Sequence, residues 1–472
     1  MLSLYESKSK IAVYDNDRSY TYEQVNCTVE KMMSYIHKYN VKKVAMHIEQ
    51  GFFNYCLEWA AYLSGITFCC YDVDAPLERI KYCNDNFCPD IVVTNNNLEG
   101  IQTISFEEML KSDNCNIPYM ENKNEVAYVL FTSGSTGLPK GVMVKRIALE
   151  NVVFWAKNNY SLDDESIYAQ YSKNSFDLSV LDVFLGLSSG ATLIPFVGIN
   201  KLLPGRLIYK YKVTHWHSVP SAFIALQNRR DLNAEILSSI KTIVFCGETL
   251  YPQLVNSIFE ANAKVNLWNT YGPTEATIFC SAIRIDEKTK KIDAHNSISI
   301  GQPITKMQFE IDLGEQEGEL LIIGENVAKG YLNNLTHSAF FTKTINGKPK
   351  AVYRSGDIVK KENGQYYFVC RKDNQVKIAG NRFDLDEITK VIHKLGYHCV
   401  SSILLGNLIY TFIQSVDFLS YTVEEISLEL KKILPQYGIP SKIIFLDSLP
   451  LNSNGKVDKN KLKEIALSKG EN

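Results

Sequence analysis

Short apolar runs alternate with amphipathic stretches through the first 270 residues. Residues 41–48 (VKKVAMHI) predict a strand, 52–64 a helix, 66–71 (ITFCCY) a strand and 91–94 another. The rhythm returns with strands at 191–196, 215–219, 242–246 and 264–268 and a helix at 221–228. Continuous apolar runs of this length suit strands buried on both faces, and their alternation with helices predicts βαβ units and parallel sheets. From about residue 298 the texture changes to short strands and turns (GQPITKMQFEI, GELLIIG, GQYYFVC, QVKIAG), which predicts a small β-rich subdomain or barrel. Past residue 373 comes a helix at 386–395, strands at 400–405 and 409–414, a helix at 423–434 and a strand at 442–446. The expected fold class is therefore α/β. A large N-terminal domain, 1–372, holds parallel α/β sheets and the small β-barrel subdomain, and a small α+β C-terminal domain spans 373–472.

Composition narrows the picture. The 472 residues are too many for one core, and 45% hydrophobic with 22% charged residues is ordinary globular usage. A net charge of −2 implies no general attraction to nucleic acid or anionic membrane. No apolar run is long enough for a membrane span, and the N-terminal MLSLYESKSK lacks an export signal, so a cytoplasmic location is expected. Eleven cysteines without a Cys-x-x-Cys pair read as reduced thiols. His215-Trp216-His217 would put two rings on one face of a strand, but no further ligands adjoin them, and a structural role is expected.

The densest chemistry lies at 132–141, TSGSTGLPKG: four hydroxyls, three glycines and one lysine in ten residues after an apolar run. Glycines let backbone N–H groups turn toward an anion, hydroxyls add donors and Lys140 adds charge. That composition suits polyphosphate, although Lys140 lacks the spacing of a Walker A loop.

Nine further blocks accompany this loop in order: 20–23 (YTYE), 74–80, 176–179 (FDLS), 269–275 (NTYGPTE), 318–332, 353–357 (YRSGD), 371–378 (RKDNQVKI), 434–440 and 454–458 (NGKVD). Together they resemble the motif series of the adenylate-forming enzymes, the superfamily of acyl-CoA synthetases, luciferases and nonribosomal peptide synthetase adenylation domains. The resemblance covers essentially the whole chain. It implies ATP and Mg2+, a mobile C-terminal domain, and a hinge at Asp373.

The resemblance also assigns roles. Thr132, Ser133, Gly134, Ser135, Thr136 and Lys140 would hold the β- and γ-phosphates. Asn269, Thr270 and Tyr271 would line the adenosine, with Tyr271 offering a flat face to adenine, and Asp357 and Arg371 would bind the ribose. Thr274 would contact the α-phosphate and Glu275 would ligate Mg2+. Lys456 would bridge the substrate carboxylate and the α-phosphate; away from its motif it would read as a solvated surface lysine. Asp177 would bind the α-ammonium of an amino acid, the alternative being a helix N-cap. Leu178, Leu181, Ser221, Val244, Cys246, Gly247, Ile278 and Phe279 complete the pocket, mostly apolar and without a second charge.

Leu181 and Phe279 shorten that pocket, so a small substrate is expected: alanine, D-alanine, glycine, serine or proline. SFDLSVLD, FCGE and NTYGPTEAT resemble stand-alone D-alanine–carrier protein ligases, in which the counterpart of Cys246 favours the D form, whereas a residue smaller than Phe279 is expected there. With no carrier motif after Lys456, the expected acceptor is the phosphopantetheine arm of a separate carrier protein. The alternatives are a CoA ligase for a small carboxylic acid, against which Asp177 argues, and a catalytically idle nucleotide-binding protein.

Overall fold

The computed structural model describes residues 1–15, 18–112, 125–133, 138–286, 297–312, 314, 316–334, 338–415, 421–451 and 457–468. The chain divides into two compact units. The first comprises Met1–Val73, Asn84–Phe131 and Gly141–Lys372, and the second comprises Asp74–Cys83, Thr132–Lys140 and Asp373–Asn472.

The first unit is α/β, as the alternation of strand and helix patterns predicts. One sheet has nine strands in the order Gln302–Pro303, Ser281–Ile285, Asn266–Tyr271, Thr242–Phe245, His215–Ser218, Ile167–Gln170, Thr192–Pro195, Ile11–Asp15 and Arg18–Thr21. The six from Asn266–Tyr271 to Ile11–Asp15 are parallel. A second sheet has seven strands, among which Val126–Thr132, Thr67–Cys70, Lys43–Met46, Ile91–Val93 and Thr103–Ile104 run parallel. The β-rich stretch forms an antiparallel sheet of Met307–Asp312, Glu317–Gly324, Lys348–Glu362 and Phe340–Ile345, with Gln365–Arg371 also paired to the long strand Lys348–Glu362.

One difference in strand bounds bears on the site. The strand expected over 264–268 runs Asn266–Tyr271, so Asn269, Thr270 and Tyr271 lie within the sheet instead of in a loop beyond it. Pairing with Ser281–Ile285, with Tyr271 opposite Ser281, extends it past the apolar run.

Two helices carry much of the interior. Phe52–Leu63 is apolar nearly all round and buried, taking Asn54 and Glu58 inside with it. Asp177–Ser189 is buried from Leu178 to its end and stops at Gly190, whose φ of 82° suits a residue without Cβ. Their rings and aliphatic chains, with Trp59, Tyr62 and Phe184 among them, belong to one large core, joined by Phe68 from the strand Thr67–Cys70. A second core lies around Trp216, Phe223 and Phe245.

The second unit contains the hairpin Gln375–Ile378 and Asn381–Asp384, a sheet of Val400–Leu405, Leu408–Gln414 and Lys442–Leu446, and the helices Asp386–Lys394, Val423–Ile433 and Lys459–Ser468. Phe383, Ile388, Ile392, Ile426 and Leu430 form its core. Thr422 and Glu425 close a capping box at the start of Val423–Ile433. Within this unit Arg79 Nη1 lies 3.1 Å from Glu387 Oε2. No helix among the described residues is long and apolar enough to cross a membrane.

Candidate active site

The antiparallel pairing of Lys348–Glu362 with Gln365–Arg371 sets Asp357 directly opposite Arg371. Arg371 Nη1 donates to Asp357 Oδ1 at 2.7 Å and to the Ser355 carbonyl at 2.7 Å. Tyr271, arriving from the nine-stranded sheet, donates its hydroxyl to Asp357 Oδ2. Burial, and then the neighbouring carboxylate, push the Tyr271 ionisation well above the ordinary tyrosine value, so the hydroxyl stays a donor. Ser355 Oγ accepts from the Asp357 amide at 3.0 Å and donates to the Leu320 carbonyl at 2.7 Å. A carboxylate has about four lone-pair sites, so Asp357 is oriented by these partners while keeping acceptor capacity for a diol. The Tyr271 ring meets Phe309 edge-on at 6.4 Å.

Thr274 and Glu275 form a single 3-10 turn, Thr274–Ala276, just after the strand Asn266–Tyr271. Glu275 is 1% exposed, and its Oε1 accepts from the Tyr331 hydroxyl at 2.7 Å. Thr274 is half-buried. Among the described residues no group of three or more His, Cys, Asp or Glu side chains is arranged to hold a metal. Glu275, a single enclosed carboxylate, would suit a Mg2+ ion that takes its other ligands from phosphates and water. Asn269 Nδ2 donates to the Ser299 carbonyl at 2.8 Å, and Thr270 Oγ1 to the Phe245 carbonyl at 2.9 Å, so both polar groups are engaged by backbone.

Asp177 is the first residue of its helix; the cap position belongs to Phe176. The aspartate is half-buried, and an acidic residue in a first turn also suits the helix dipole. Tyr128, whose buried hydroxyl has no partner among the described residues, has its ionisation raised by burial first and then by the charges of Asp177 and Glu58. Leu178, Leu181, Val244, Cys246, Tyr271, Ile278 and Phe279 belong to one buried cluster. Cys246 Sγ lies 3.8 Å from the Ile278 carbonyl. Ser221 Oγ donates to Glu248 Oε1 at 3.0 Å while its amide donates to Oε2 at 2.9 Å, so Glu248 occupies that hydroxyl. Gly247 follows with a φ of 90°.

Thr132 ends the strand Val126–Thr132, and Lys140 opens the strand Lys140–Lys145 and is buried. Ser133 Oγ donates to the Arg382 carbonyl at 2.8 Å, inside the second unit. Asp373, exposed, accepts the Gln375 amide at 3.2 Å. Gly134, Ser135, Thr136 and Lys456 lie outside the described residues.

Sequence reasoning missed Tyr331 and Ser355 as supports of Glu275 and Asp357, although both lie inside quoted motifs; only their partners 56 and 2 positions away give them meaning. It also missed Asp182. The two histidines of His215-Trp216-His217 serve structure: His215 Nε2 meets the Tyr160 carbonyl at 3.1 Å, and His217 Nδ1 meets Asp182 Oδ1 at 2.9 Å. Burial pulls His215 down to about 4, so it is neutral near pH 7.

The AMP-binding enzyme family matches residues 3–332. The D-alanine–D-alanyl carrier protein ligase of Staphylococcus epidermidis is 30% identical over 426 residues, covering 85% of this chain and 85% of that protein. The enzyme of that name from Bacillus licheniformis is 29% identical over 428 residues, covering 83% of each. Among solved structures, the Vibrio cholerae adenylation domain AlmE, in complex with glycyl-adenosine-5'-phosphate, superposes with a TM-score of 0.85 at 26% identity, covering 97% of this chain and 95% of that one. The chain belongs to the AMP-binding enzyme family.

Proposed function

We propose that this enzyme is an AMP-forming amino acid–carrier protein ligase: it joins a small amino acid to the α-phosphate of ATP, releases pyrophosphate, and passes the aminoacyl group to the phosphopantetheine thiol of a separate carrier protein. The observation that carries this reading is Asp177, a half-buried carboxylate at the head of a helix whose next turns, Leu178 and Leu181, are buried in an apolar cluster. A carboxylate beside an apolar cluster suits an ammonium group and disfavours a plain carboxylic acid. The D-alanyl carrier protein ligases and the glycyl-adenylate complex of AlmE support the same reading.

Residues 1–372 are assigned the adenylation core and 373–472 a lid that turns about Asp373 between the two half-reactions. Asp357, Arg371 and Tyr271 hold the nucleoside, Thr274 contacts the α-phosphate, and Thr132–Thr136 with Lys140 hold the departing phosphates. Glu275 would ligate Mg2+, which would neutralise phosphate charge when bound. Lys456 supplies positive charge where the carboxylate and α-phosphate meet. With ATP as co-substrate, the reaction is assigned to the cytoplasm.

Amino-acid-dependent ATP–pyrophosphate exchange tests the assignment. Lys456→Ala should abolish exchange in a folded protein, and Asp177→Ala should lose its amino-acid dependence most severely. Exchange supported better by plain carboxylic acids, or thioester formed on CoA and not on a carrier protein, would overturn it.

A further inference from the structure

The wall assigned to the substrate side chain is backed by a block of aromatic rings. Phe279 is fully buried. Its ring lies 5.4 Å from Trp155 at 72° and 6.4 Å from Tyr160 at 41°. Trp155 and Tyr160 each meet Trp268 at 5.7 Å. Trp268 stands beside Val244 on the neighbouring parallel strand, so the block reaches from one proposed wall residue to another. Edge-to-face contacts of this kind fix ring orientation as well as filling volume.

The backbone that carries Phe279 is equally constrained. Thr277 and Ile278 have φ values of 60° and 69°, a region that β-branched residues avoid unless their surroundings hold them there. Thr277 Oγ1 donates to the Asn326 carbonyl at 2.7 Å, and the Cys280 amide donates to the Tyr271 carbonyl at 2.8 Å, pinning the turn on both sides of Phe279. Close-packed interiors yield little to an intruding atom, so a ring held on its backbone and on its edge cannot retreat from a longer substrate.

With Phe279 read as the residue that shortens the pocket, we propose that Trp155 is a positioning residue acting through it, restricting the substrate to α-amino acids whose side chain is a hydrogen atom or one methyl group. This rests on the reading of residues 278–279 as pocket wall and narrows the substrate class given above. Trp155 is the useful handle because it is only partly buried on the helix Arg146–Asn159, so its replacement disturbs the core least.

The experiment is ATP–pyrophosphate exchange by the 472-residue chain with glycine and both enantiomers of alanine, 2-aminobutyrate and norvaline. Wild type should favour glycine or alanine over 2-aminobutyrate by about 100-fold in kcat/KM, the upper range for one added methylene. Trp155→Leu should narrow that ratio by roughly tenfold, chiefly through the KM for 2-aminobutyrate, and Trp155→Phe should restore it. Phe279→Ala should move the optimum to longer chains; if it does not fold, the two Trp155 variants still decide. Equal losses on every substrate in Trp155→Leu, or wild type using norvaline as well as alanine, would overturn the proposal while leaving adenylation intact. Wild type showing no exchange with any amino acid would sink the adenylation reading and this inference together.

Discussion

Tyr331 donates its hydroxyl to Oε1 of Glu275 at 2.7 Å, from a strand 56 positions further along the chain. The bond fixes the orientation of a carboxylate that is almost completely enclosed. If Glu275 ligates Mg2+, Tyr331→Phe removes an outer support of the ligand without touching the ion. Such supports contribute about 10–100-fold in metal affinity. Tyr331→Phe is therefore expected to raise the Mg2+ concentration for half-maximal exchange about tenfold, with a smaller change in the amino-acid KM. A titration of exchange rate against free Mg2+ checks this, and an unshifted midpoint would separate Tyr331 from metal binding.

Asp357 is held from two sides, by Arg371 at Oδ1 and by Tyr271 at Oδ2. Asp357→Asn keeps the shape but replaces a charged acceptor, and it leaves Arg371 without its carboxylate. Hydrogen bonds to charged groups contribute about 1.5–3 kcal/mol, so the KM for ATP should rise at least roughly tenfold while the amino-acid KM moves far less. Steady-state kinetics with each substrate varied in turn measures the split; parallel increases in both would argue against a nucleoside-specific role.

The sheets were legible because burial on both faces writes unbroken apolar runs into the sequence. Strands Thr242–Phe245 and His215–Ser218 fall within a residue of their expected bounds for this reason. The end of Asn266–Tyr271 was not legible, since its last residues join the sheet through a partner strand and not through hydrophobicity. Asp357 and Arg371 could be named from their motifs, but their direct cross-strand pairing could not. The aromatic block was invisible because Trp155 sits on a helix, Trp268 on a strand and Phe279 in a turn, and nothing in their spacing brings them together.

Gly272 illustrates a motif residue whose role is space and not flexibility. A Cβ built there would lie 2.5 Å from the Phe279 Cα and 2.9 Å from the Ile278 carbonyl oxygen, both backbone atoms that cannot rotate aside. Gly272→Ala must therefore push the 277–279 turn away from the strand carrying Tyr271. Overpacking of this kind costs about 1–3 kcal/mol. The variant is expected to unfold at lower urea and to show a raised KM for the amino acid. Wild-type stability with unchanged kinetics would mean that the turn moves freely.

Glu58 gives the first unit a pH dependence of stability. It lies fully buried on the helix Phe52–Leu63, accepting from Asn54 Nδ2 at 3.2 Å, with Oε2 unpartnered among the described residues. Burial pushes its carboxyl from 4.5 up to about 8, and Asp182 adds to the rise while hydrogen bonds from Asn54 and Cys70 oppose it. Between these two values the folded chain keeps a proton that the unfolded chain releases. Stability then falls as pH rises, by up to about 1.4 kcal/mol per pH unit, and the slope vanishes above the folded value, where both states are ionised. Glu58→Gln keeps the shape and removes the ionisation, so it should match wild type near pH 4.5 and exceed it increasingly toward pH 8. Trp59, Trp155, Trp216 and Trp268 are the chain's four tryptophans and all lie in the first unit, so urea unfolding followed by tryptophan fluorescence at several pH values reports on the right region. Parallel pH profiles for the two proteins would show that Glu58 is already ionised in the folded state near neutral pH.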